Sequence, residues 1–188
     1  SISVGLRRDT RDDPLDTRGG NYIRTRLEMA GGPLGGASDY NRSTLEVMSF
    51  RPLLGAVLGI HSQFSGIDAS GDLSRVAEYE QFYLGGDRSV RGYGRGEIGA
   101  DRVGELAFNG QLELRLPIAT HAVVLYVDAG QVWTDFSEIA IDDLRRASGV
   151  GLRYNSRFGL IRFDVAVAHD DGSLGDNVAL YFGVGQAF

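Results

Sequence analysis

Residues 105–116 read ELAFNGQLELRL, and apolar and polar side chains alternate along this stretch. Because successive residues of a β-strand point to opposite faces, the stretch predicts a strand with two unlike faces. One face carries large apolar side chains, namely Leu106, Phe108, Leu112, Leu114 and Leu116. The other face carries Ala107, Asn109, Gln111, Glu113 and Arg115. A dry core accommodates the charges on this second face poorly, whereas the wet interior of a membrane barrel accommodates them well.

The same alternation recurs along the whole chain. It is regular in residues 22–29 and 161–169, and weaker in the segments 1–8, 40–51, 54–65, 121–133, 147–155 and 178–188. These segments predict roughly nine antiparallel strands, each close to the ~10 residues with which a β-strand spans a bilayer. Residues 137–146 are the best helical stretch, and they predict only a turn of helix inside a connection.

The connections between the predicted strands alternate in length. Short connections fall at 51–55, 117–121 and 155–159, long ones at 66–104 and 134–146, and moderate ones at 30–39 and 170–177. Outer-membrane barrels have short periplasmic turns and longer external loops. The pattern therefore predicts an all-β, antiparallel up-and-down transmembrane β-barrel, with residues 9–20 as a longer periplasmic connection. A soluble β-sandwich or lipocalin-like barrel also alternates and is the alternative, although the charges on one strand face weigh against it.

Length and composition narrow the function classes. The chain has 188 residues, of which 43% are hydrophobic, and it contains no cysteine. No apolar run approaches the ~18 residues of a membrane helix, which excludes a helical membrane protein but not a barrel. The net charge of −6 argues against nucleic acid as a partner. The chain begins at Ser1 without a leader pattern, so we expect a mature product or an excised fragment.

The longest connection carries a recognisable motif. It contains LGGDRSVRGYGRGEIG at residues 84–99. The VRGY element, Val90 to Tyr93, resembles the VRGF/Y signature of the outer-membrane assembly and translocation superfamily, which includes BamA-like and TamA-like barrels, two-partner secretion transporters and organelle import barrels. ELRLP at 113–117 and YVDAG at 126–130 resemble the family's E-L-x-x-P and F-x-D-x-G strand motifs. The resemblance spans nearly all of residues 1–188, but only the C-terminal part of the family's usual barrel.

The resemblance implies that this connection is inserted into the barrel lumen and that Arg91 pairs there with acidic side chains of the wall. We expect Arg91 to meet Glu113 and Asp128, because a guanidinium suits two carboxylates and each bond is charge-assisted. Glu113 lies on the polar face described above. Gly92 would permit a tight turn beside the arginine, and Tyr93 would pack as an amphipathic anchor. Without the resemblance, the stretch reads as a glycine-rich surface loop.

The end of the chain also alternates, and it closes on Gly185-Gln186-Ala187-Phe188. A last strand with a terminal aromatic residue resembles the C-terminal strand signal that assembly machinery recognises by strand addition at an exposed edge. We therefore expect Gly185 and Phe188 to belong to such a signal. The alternative is a closing strand that ends in phenylalanine by chance.

Other patterns lack the context that their chemistry needs, so we predict no metal, no cofactor and no catalytic residue. Gly94-x-Gly96-x-x-Gly99 has neither the strand before it nor the helix after it that a dinucleotide site requires. The aspartates of residues 9–16 lack EF-hand spacing, and His61, His121 and His169 lack zinc-ligand spacing. No G-x-S-x-G motif is present, and a hydrolase that uses His169 and Asp170 beside a loop serine is a minor alternative.

The family resemblance implies a non-enzymatic function in a cell outer membrane of the Gram-negative type, namely outer-membrane protein assembly and insertion or protein translocation. The implied partners are outer-membrane lipid, unfolded outer-membrane or secreted client proteins, and upstream periplasmic domains and barrel strands absent from this chain. The family mechanism uses a weak barrel seam, of which the last strand would form one side. The alternatives are a two-partner-secretion or passenger-anchoring export barrel, and a small solute-conducting barrel.

Overall fold

The computed structural model describes residues 1–32, 35, 39–69, 76, 80–101, 104–119, 121–157, 159–169 and 178–188. Within these residues the chain forms one antiparallel sheet, in which each strand pairs with its neighbours in sequence. The strands are β1 (Ile2–Asp9), β2 (Gly20–Ala30), β3 (Tyr40–Leu53), β4 (Ala56–Asp68), β5 (Leu106–Ile118), β6 (His121–Trp133), β7 (Arg145–Ser156), β8 (Gly159–Ala168) and β9 (Val178–Val184). The predicted all-β meander is therefore confirmed, with β1 and β9 as the two edges of the described sheet.

The last strand is shorter than the sequence predicts. A strand was expected over 178–188, but β9 ends at Val184, whose ladder partner on β8 is Ile161. Because β8 itself begins at Gly159, little of its edge is left for further pairing. Gly185 has a φ of +91°, which turns the remaining residues away from the ladder.

The predicted helix is also shorter. Residues 137–146 were expected to form a turn of helix, and the structure has one 3-10 turn at Phe136–Glu138. The side chain of Asp135 caps this turn by accepting a hydrogen bond from the backbone N–H of Ser137 at 2.7 Å. Residues from Arg145 onward belong to β7 because they pair with β6. No helix of the described residues combines the length and the apolar character needed to cross a bilayer.

The two faces of the sheet have opposite character. Large apolar side chains on the outer face are exposed, among them Leu125, Phe163 and Leu180. The inner face buries polar and charged side chains, namely His61, Asn109, Gln111, Glu113, Arg115, Asp128, Arg153, Arg162 and Asp164. A soluble sandwich or lipocalin-like barrel has the reverse arrangement, with apolar side chains in its interior. The observed faces suit a sheet that separates hydrocarbon from a polar lumen.

We refer to the connection between β4 and β5, residues 69–105, as the inner link. Described residues of this link, among them Val90, Tyr93 and Ile98, lie against the inner face. It was predicted at 66–104 and begins later because β4 continues to Asp68. The backbone N–H of Ile67 donates to the carbonyl of Glu105 at 2.8 Å, which brings the two ends of the link together. Side chains from the link pack in two apolar clusters. The first is formed by Val90, Tyr93 and Ile98 with Ala107, Val132, Ala147 and Ala168, and the second by Ala69 and Val76 with Ala30, Tyr40 and Ile67.

Candidate functional site

The VRGY element lies near the tip of a narrow hairpin within the inner link. Leu84 and Ile98 exchange backbone hydrogen bonds of 2.9 and 3.1 Å, and the N–H of Gly86 donates to the carbonyl of Tyr93 at 3.0 Å. A Cβ at Gly85 would lie 2.2 Å from the carbonyl oxygen of Gly94, so only glycine allows the two sides of the hairpin to approach this closely. The hairpin thereby presents Arg91 to the sheet.

Arg91 binds both carboxylates that the sequence analysis paired with it. Its Nε and Nη2 donate to Asp128 Oδ2 and Oδ1 at 2.7 and 2.8 Å, which is a bidentate contact. Its Nη1 donates to Glu113 Oε1 at 2.8 Å, and its backbone N–H also donates to Asp128 Oδ2, at 3.0 Å. The side chains of all three residues are 0% exposed. The guanidinium carbon lies 3.4 Å from the centroid of the Tyr126 ring, which adds a cation–π contact.

The register of β5 and β6 explains why these two carboxylates converge. Gln111 is the Cα partner of Asp128, and Glu113 is the Cα partner of Tyr126. Paired residues project to the same face, so Glu113 and Asp128 lie on neighbouring strands, on one side of the sheet and one step apart. The inward orientation of Asp128, which alternation alone supports less clearly than that of Glu113, follows from this pairing.

Other charged side chains of the sheet and of the inner link join these three residues in what we call the inner charge network. Arg115 Nε donates to Glu113 Oε2 at 3.0 Å, and Arg153 Nη1 donates to Asp164 Oδ1 at 2.6 Å. Arg162 pairs with Asp87 of the inner link and lies 3.8 Å from Asp164. Within the described residues the network consists of four arginines, Arg91, Arg115, Arg153 and Arg162, and four carboxylates, Asp87, Glu113, Asp128 and Asp164. The formal charges are thus balanced.

Sequence reasoning found three of these eight residues as a site. Arg115 had been placed on the polar face of its strand, and Arg162 and Asp164 lie in the regularly alternating segment 161–169, but none of them was identified as a partner of Arg91. Their alternation with Leu114, Phe163 and Val165 was the available signal that they face inward.

Small residues on the inner face make room for the hairpin. A Cβ at Gly149 would lie 2.3 Å from the hydroxyl oxygen of Tyr126, so glycine there lets the tyrosine ring lie beneath Arg91. Gly92 has a φ of +101°, and a Cβ on it would lie 3.2 Å from the Cβ of Ala147 and 3.0 Å from the backbone nitrogen of Ala168. The predicted turn at Gly92 is therefore required both by conformation and by contact.

The other two residues of the motif are also buried, Val90 at 0% and Tyr93 at 3% exposure. The Tyr93 hydroxyl donates to the carbonyl of Arg146 at 3.2 Å. The hydroxyl of Tyr181, on β9, donates to the carbonyl of Tyr93 at 3.1 Å and accepts from the backbone N–H of Gly92 at 3.0 Å. The motif thus contacts the last strand as well as β5 and β6.

The terminal residues Gly185 and Phe188 lie apart from Arg91. The N–H of Gly185 donates to the carbonyl of Leu160 at 2.7 Å, and the chain then turns inward. The ring of Phe188 stacks on His61 and Phe50 with centroid distances of 5.3 and 5.9 Å. It therefore lies on the inner side of the sheet and does not continue β9. Its role in a strand signal stays a prediction.

Two of the histidines that lack zinc-ligand spacing, His61 and His169, contact polar side chains of neighbouring strands. His61 Nδ1 lies 2.9 Å from Gln111 Oε1, and His169 Nε2 lies 2.9 Å from Ser148 Oγ. Asp170, considered with His169 for a hydrolase, lies outside the described residues. Across the described ranges, no group of three or more His, Cys, Asp or Glu side chains is arranged to hold a metal ion.

Comparison with known proteins gives consistent matches. The sequence profile of the Omp85 superfamily domain matches residues 1–188. The outer membrane protein assembly factor BamA of Nitratidesulfovibrio vulgaris is 29% identical over 199 residues, covering 98% of this chain and 25% of that protein. The chloroplastic protein TOC75 of Pisum sativum is 32% identical over 164 residues, covering 79% of this chain and 19% of that protein. The chain thus spans about a quarter or less of the length of these relatives.

A solved structure shares the fold. The crystal structure of BamA from Haemophilus ducreyi lacking POTRA domains 1–3 superposes with a TM-score of 0.76 at 20% sequence identity. The match covers 97% of this chain and 41% of that one. At this level of identity the likeness concerns the arrangement of strands.

Proposed function

Because this chain belongs to the Omp85 superfamily, as its motifs indicated, we propose that it is the C-terminal part of an outer-membrane β-barrel that assembles or translocates other proteins. The observation that carries the proposal is the burial of Arg91 between Glu113 and Asp128. These contacts hold the inner link against the inner face of the sheet. The whole protein would lie in a Gram-negative type of outer membrane and act on unfolded outer-membrane or secreted clients. It would perform no covalent chemistry.

In this proposal the Arg91 contacts fix the inner link as a structural part of the wall. Without Arg91, Glu113 and Asp128 would lose a cation while remaining buried, and stranding a buried charge costs about 3–5 kcal/mol. The link would then lose its attachment to β5 and β6. Its contact with Tyr181 on β9 would weaken as well. The hydroxyl of Tyr181 binds the backbone of Gly92 and Tyr93, the two residues that follow Arg91 in the chain.

The last strand supports the assembly role. β9 has only seven residues, against ten in β8, and it is an edge of the described sheet. An exposed strand edge offers unpaired backbone groups to which a further strand can add. We infer that β9 is one side of the seam at which client strands enter, and that the inner link, through Tyr181, influences its position. A barrel that only conducts solutes is less well supported, since the link fills part of the inner face.

The test uses the full-length protein reconstituted in lipid vesicles, with folding of an outer-membrane client measured by protease protection. Arg91→Ala and Arg91→Lys should slow client folding at least about tenfold, since Lys keeps the charge but not the bidentate contact. Arg95→Ala is the matched control, because Arg95 is an exposed arginine of the same link. Client folding that is independent of Arg91, together with steady single-channel conductance, would contradict the proposal and favour a solute channel.

A further inference from the structure

The connection between β6 and β7, residues 134–144, folds over the outer face of the sheet, and we call it the outer loop. Gln131 and Trp133 of β6 project outward, because they share the parity of Leu125, an exposed apolar residue of the outer face. The side chain of Gln131 donates to the carbonyl of Asp143 at 2.6 Å. Trp133 is 3% exposed, whereas Leu125 is 47% exposed. The outer loop therefore covers the end of β6 on the side that faces hydrocarbon.

The outer loop presents large apolar side chains of its own. Phe136, Ile139 and Ile141 are 68%, 44% and 76% exposed. Several large apolar side chains exposed within one short segment indicate contact with a membrane or with another protein. Because the outer loop lies on the outer face, these side chains extend the hydrocarbon-facing surface beyond the ends of the strands.

Beside the outer loop, the outer face of the sheet contains a groove. One cross-strand row runs from β1 to β5, in which each residue is the Cα partner of the next, namely Val4, Leu27, Ser43, Gly66 and Leu106. Ser43 and Gly66 have the smallest side chains of this row, so the surface is low between Leu27 and Leu106. A Cβ on Gly66 would lie 3.3 Å from Cδ2 of Leu106, which leans over this low surface.

The groove forms a cavity of about 530 Å³. Phe136 of the outer loop lines it, and the opposite rim consists of apolar side chains of β1 and β2, namely Ile2, Val4, Leu27 and Met29. The cavity lies near the ends of β2 and β4 that lead into longer connections, and longer connections are external in outer-membrane barrels. Its place in the bilayer is therefore the outer leaflet.

The charged side chains of the outer loop determine how deeply it can lie in a membrane. The loop carries four exposed carboxylates, Asp135, Glu138, Asp142 and Asp143. A carboxylate is costly in hydrocarbon, so the loop backbone has to stay at the level of the lipid head groups. Interfacial segments bury their apolar side chains about 5–10 Å into the boundary between head groups and acyl chains. The carboxylates also disfavour an acidic partner, whereas an acyl chain carries no charge.

We propose that the outer loop lies in the outer leaflet of the membrane and that the groove beside it holds an acyl chain of a lipid. The groove opens on the surface that faces hydrocarbon, and its rims are apolar on both sides. A lipid chain therefore reaches the groove from the surrounding bilayer without crossing water. This inference rests on the membrane location within the proposed function, to which it adds a lipid-binding site outside the barrel lumen.

The test places an environment-sensitive fluorophore on single cysteines of the full-length protein in phosphatidylcholine vesicles. Residues 1–188 contain no cysteine, and any cysteine elsewhere in the full-length protein is first replaced by serine. Labels at Phe136→Cys and Ile141→Cys should be quenched by lipids with brominated acyl chains, and quenching by aqueous iodide should be lost. Leu125→Cys, on the outer face of β6, is the control for contact with lipid. Arg95→Cys, exposed on the inner link, is the control for contact with water.

A further variant, Ser43→Leu, tests the groove itself. The larger side chain fills the floor, so it should reduce bromolipid quenching of the label at position 136 and leave that at position 141 unchanged. Equal quenching of both labels with and without Ser43→Leu would reject the groove as an acyl-chain site.

Iodide quenching of both loop labels to the extent seen at Arg95→Cys, with the Leu125→Cys label still quenched by bromolipid, would place the outer loop in water and reject this inference alone. Iodide quenching of the Leu125→Cys label as well would mean that the outer face does not contact lipid. That result would contradict the proposed function.

Discussion

Two regions of the inner face carry arginines and carboxylates at strand-alternate positions, yet they differ in almost every other respect. On β5 to β8, which we call the covered wall, the inner link shuts out solvent, and Arg91, Glu113 and Asp128 are 0% exposed. On the inner face of β1 and β2, which we call the open wall, the side chain of Arg26 is 45% exposed. Strand alternation is the same in both regions, so it is the inner link that converts polar side chains into a buried network.

The difference changes the energetic weight of each charge. An exposed ion pair contributes about 0–1 kcal/mol, because water and salt screen it. Breaking a buried pair costs about 3–5 kcal/mol, because the remaining charge has lost both its partner and its water. The covered wall should therefore be sensitive to the loss of any charged member, whereas the open wall should tolerate such a loss.

The largest effect is expected for Arg91→Ala. It strands Asp128 and removes one cation from Glu113, which keeps Arg115, so the free energy of unfolding of the full-length protein should fall by about 3–5 kcal/mol. Urea unfolding in lipid vesicles, followed by heat-modifiable gel mobility, measures this. Arg95→Ala should leave the midpoint unchanged. A loss below about 1 kcal/mol for Arg91→Ala would mean that water reaches the network, and the contrast between the two walls would fail.

Gly92→Ala is expected to be the next largest. The substitution forces alanine into a φ of +101° and places its Cβ 3.0 Å from the backbone nitrogen of Ala168. Strain of this kind costs about 1–3 kcal/mol, and the same urea titration measures it. Gly94→Ala is the matched control, because a Cβ there meets chiefly the side chain of Glu97, at 3.1 Å. Equal effects of the two substitutions would show that the link is not seated closely on Ala147 and Ala168.

The coupling between Arg153 and Asp164 tests whether the network extends beyond the VRGY motif. A double-mutant cycle with Arg153→Met and Asp164→Asn should give a coupling energy of about 0.5–3 kcal/mol, as expected for residues in direct contact within one network. The hydrogen bond between them measures 2.6 Å. Single variants that are strictly additive would place Asp164 outside the network and leave only Arg91, Glu113 and Asp128 as a unit.

The sequence predicted those features that depend on local alternation or on a motif. The faces of β5 were predicted correctly, because each side chain's side of the sheet follows from strand period alone. The contact of Arg91 with Glu113 and Asp128 was expected from the family resemblance, and β5–β6 pairing makes it possible. Asp164 was not recognised as a partner, because its approach to Arg153 depends on the register of β7 with β8, which alternation does not determine.

The position of Phe188 could not be predicted from the sequence, for a related reason. Alternation through residues 178–188 predicts a strand that continues to the end of the chain. However, Val184 already pairs with Ile161, and β8 begins only two residues earlier, at Gly159. The N–H of Gly185 still donates to the carbonyl of Leu160 in β8, and the positive φ of Gly185 then turns the chain out of the ladder. Stacking on Phe50 and His61 joins residues that are far apart in the chain, and no local pattern reports such a contact.

The smallest effect on stability is expected on the open wall, and it completes the contrast. Arg24→Ala removes an exposed charge that opposes Arg7. The free energy of unfolding should therefore change by no more than about 0.5 kcal/mol, in either direction. Arg153→Ala is the counterpart on the covered wall, since Arg153 is likewise opposed by an arginine, Arg162, but shares Asp164 with it. That variant should destabilise the protein, because it leaves Asp164 with one of its cations missing. If Arg24→Ala proves as damaging as Arg153→Ala, Arg24 must have a buried partner in the full-length barrel, and the open wall is then a second structural network.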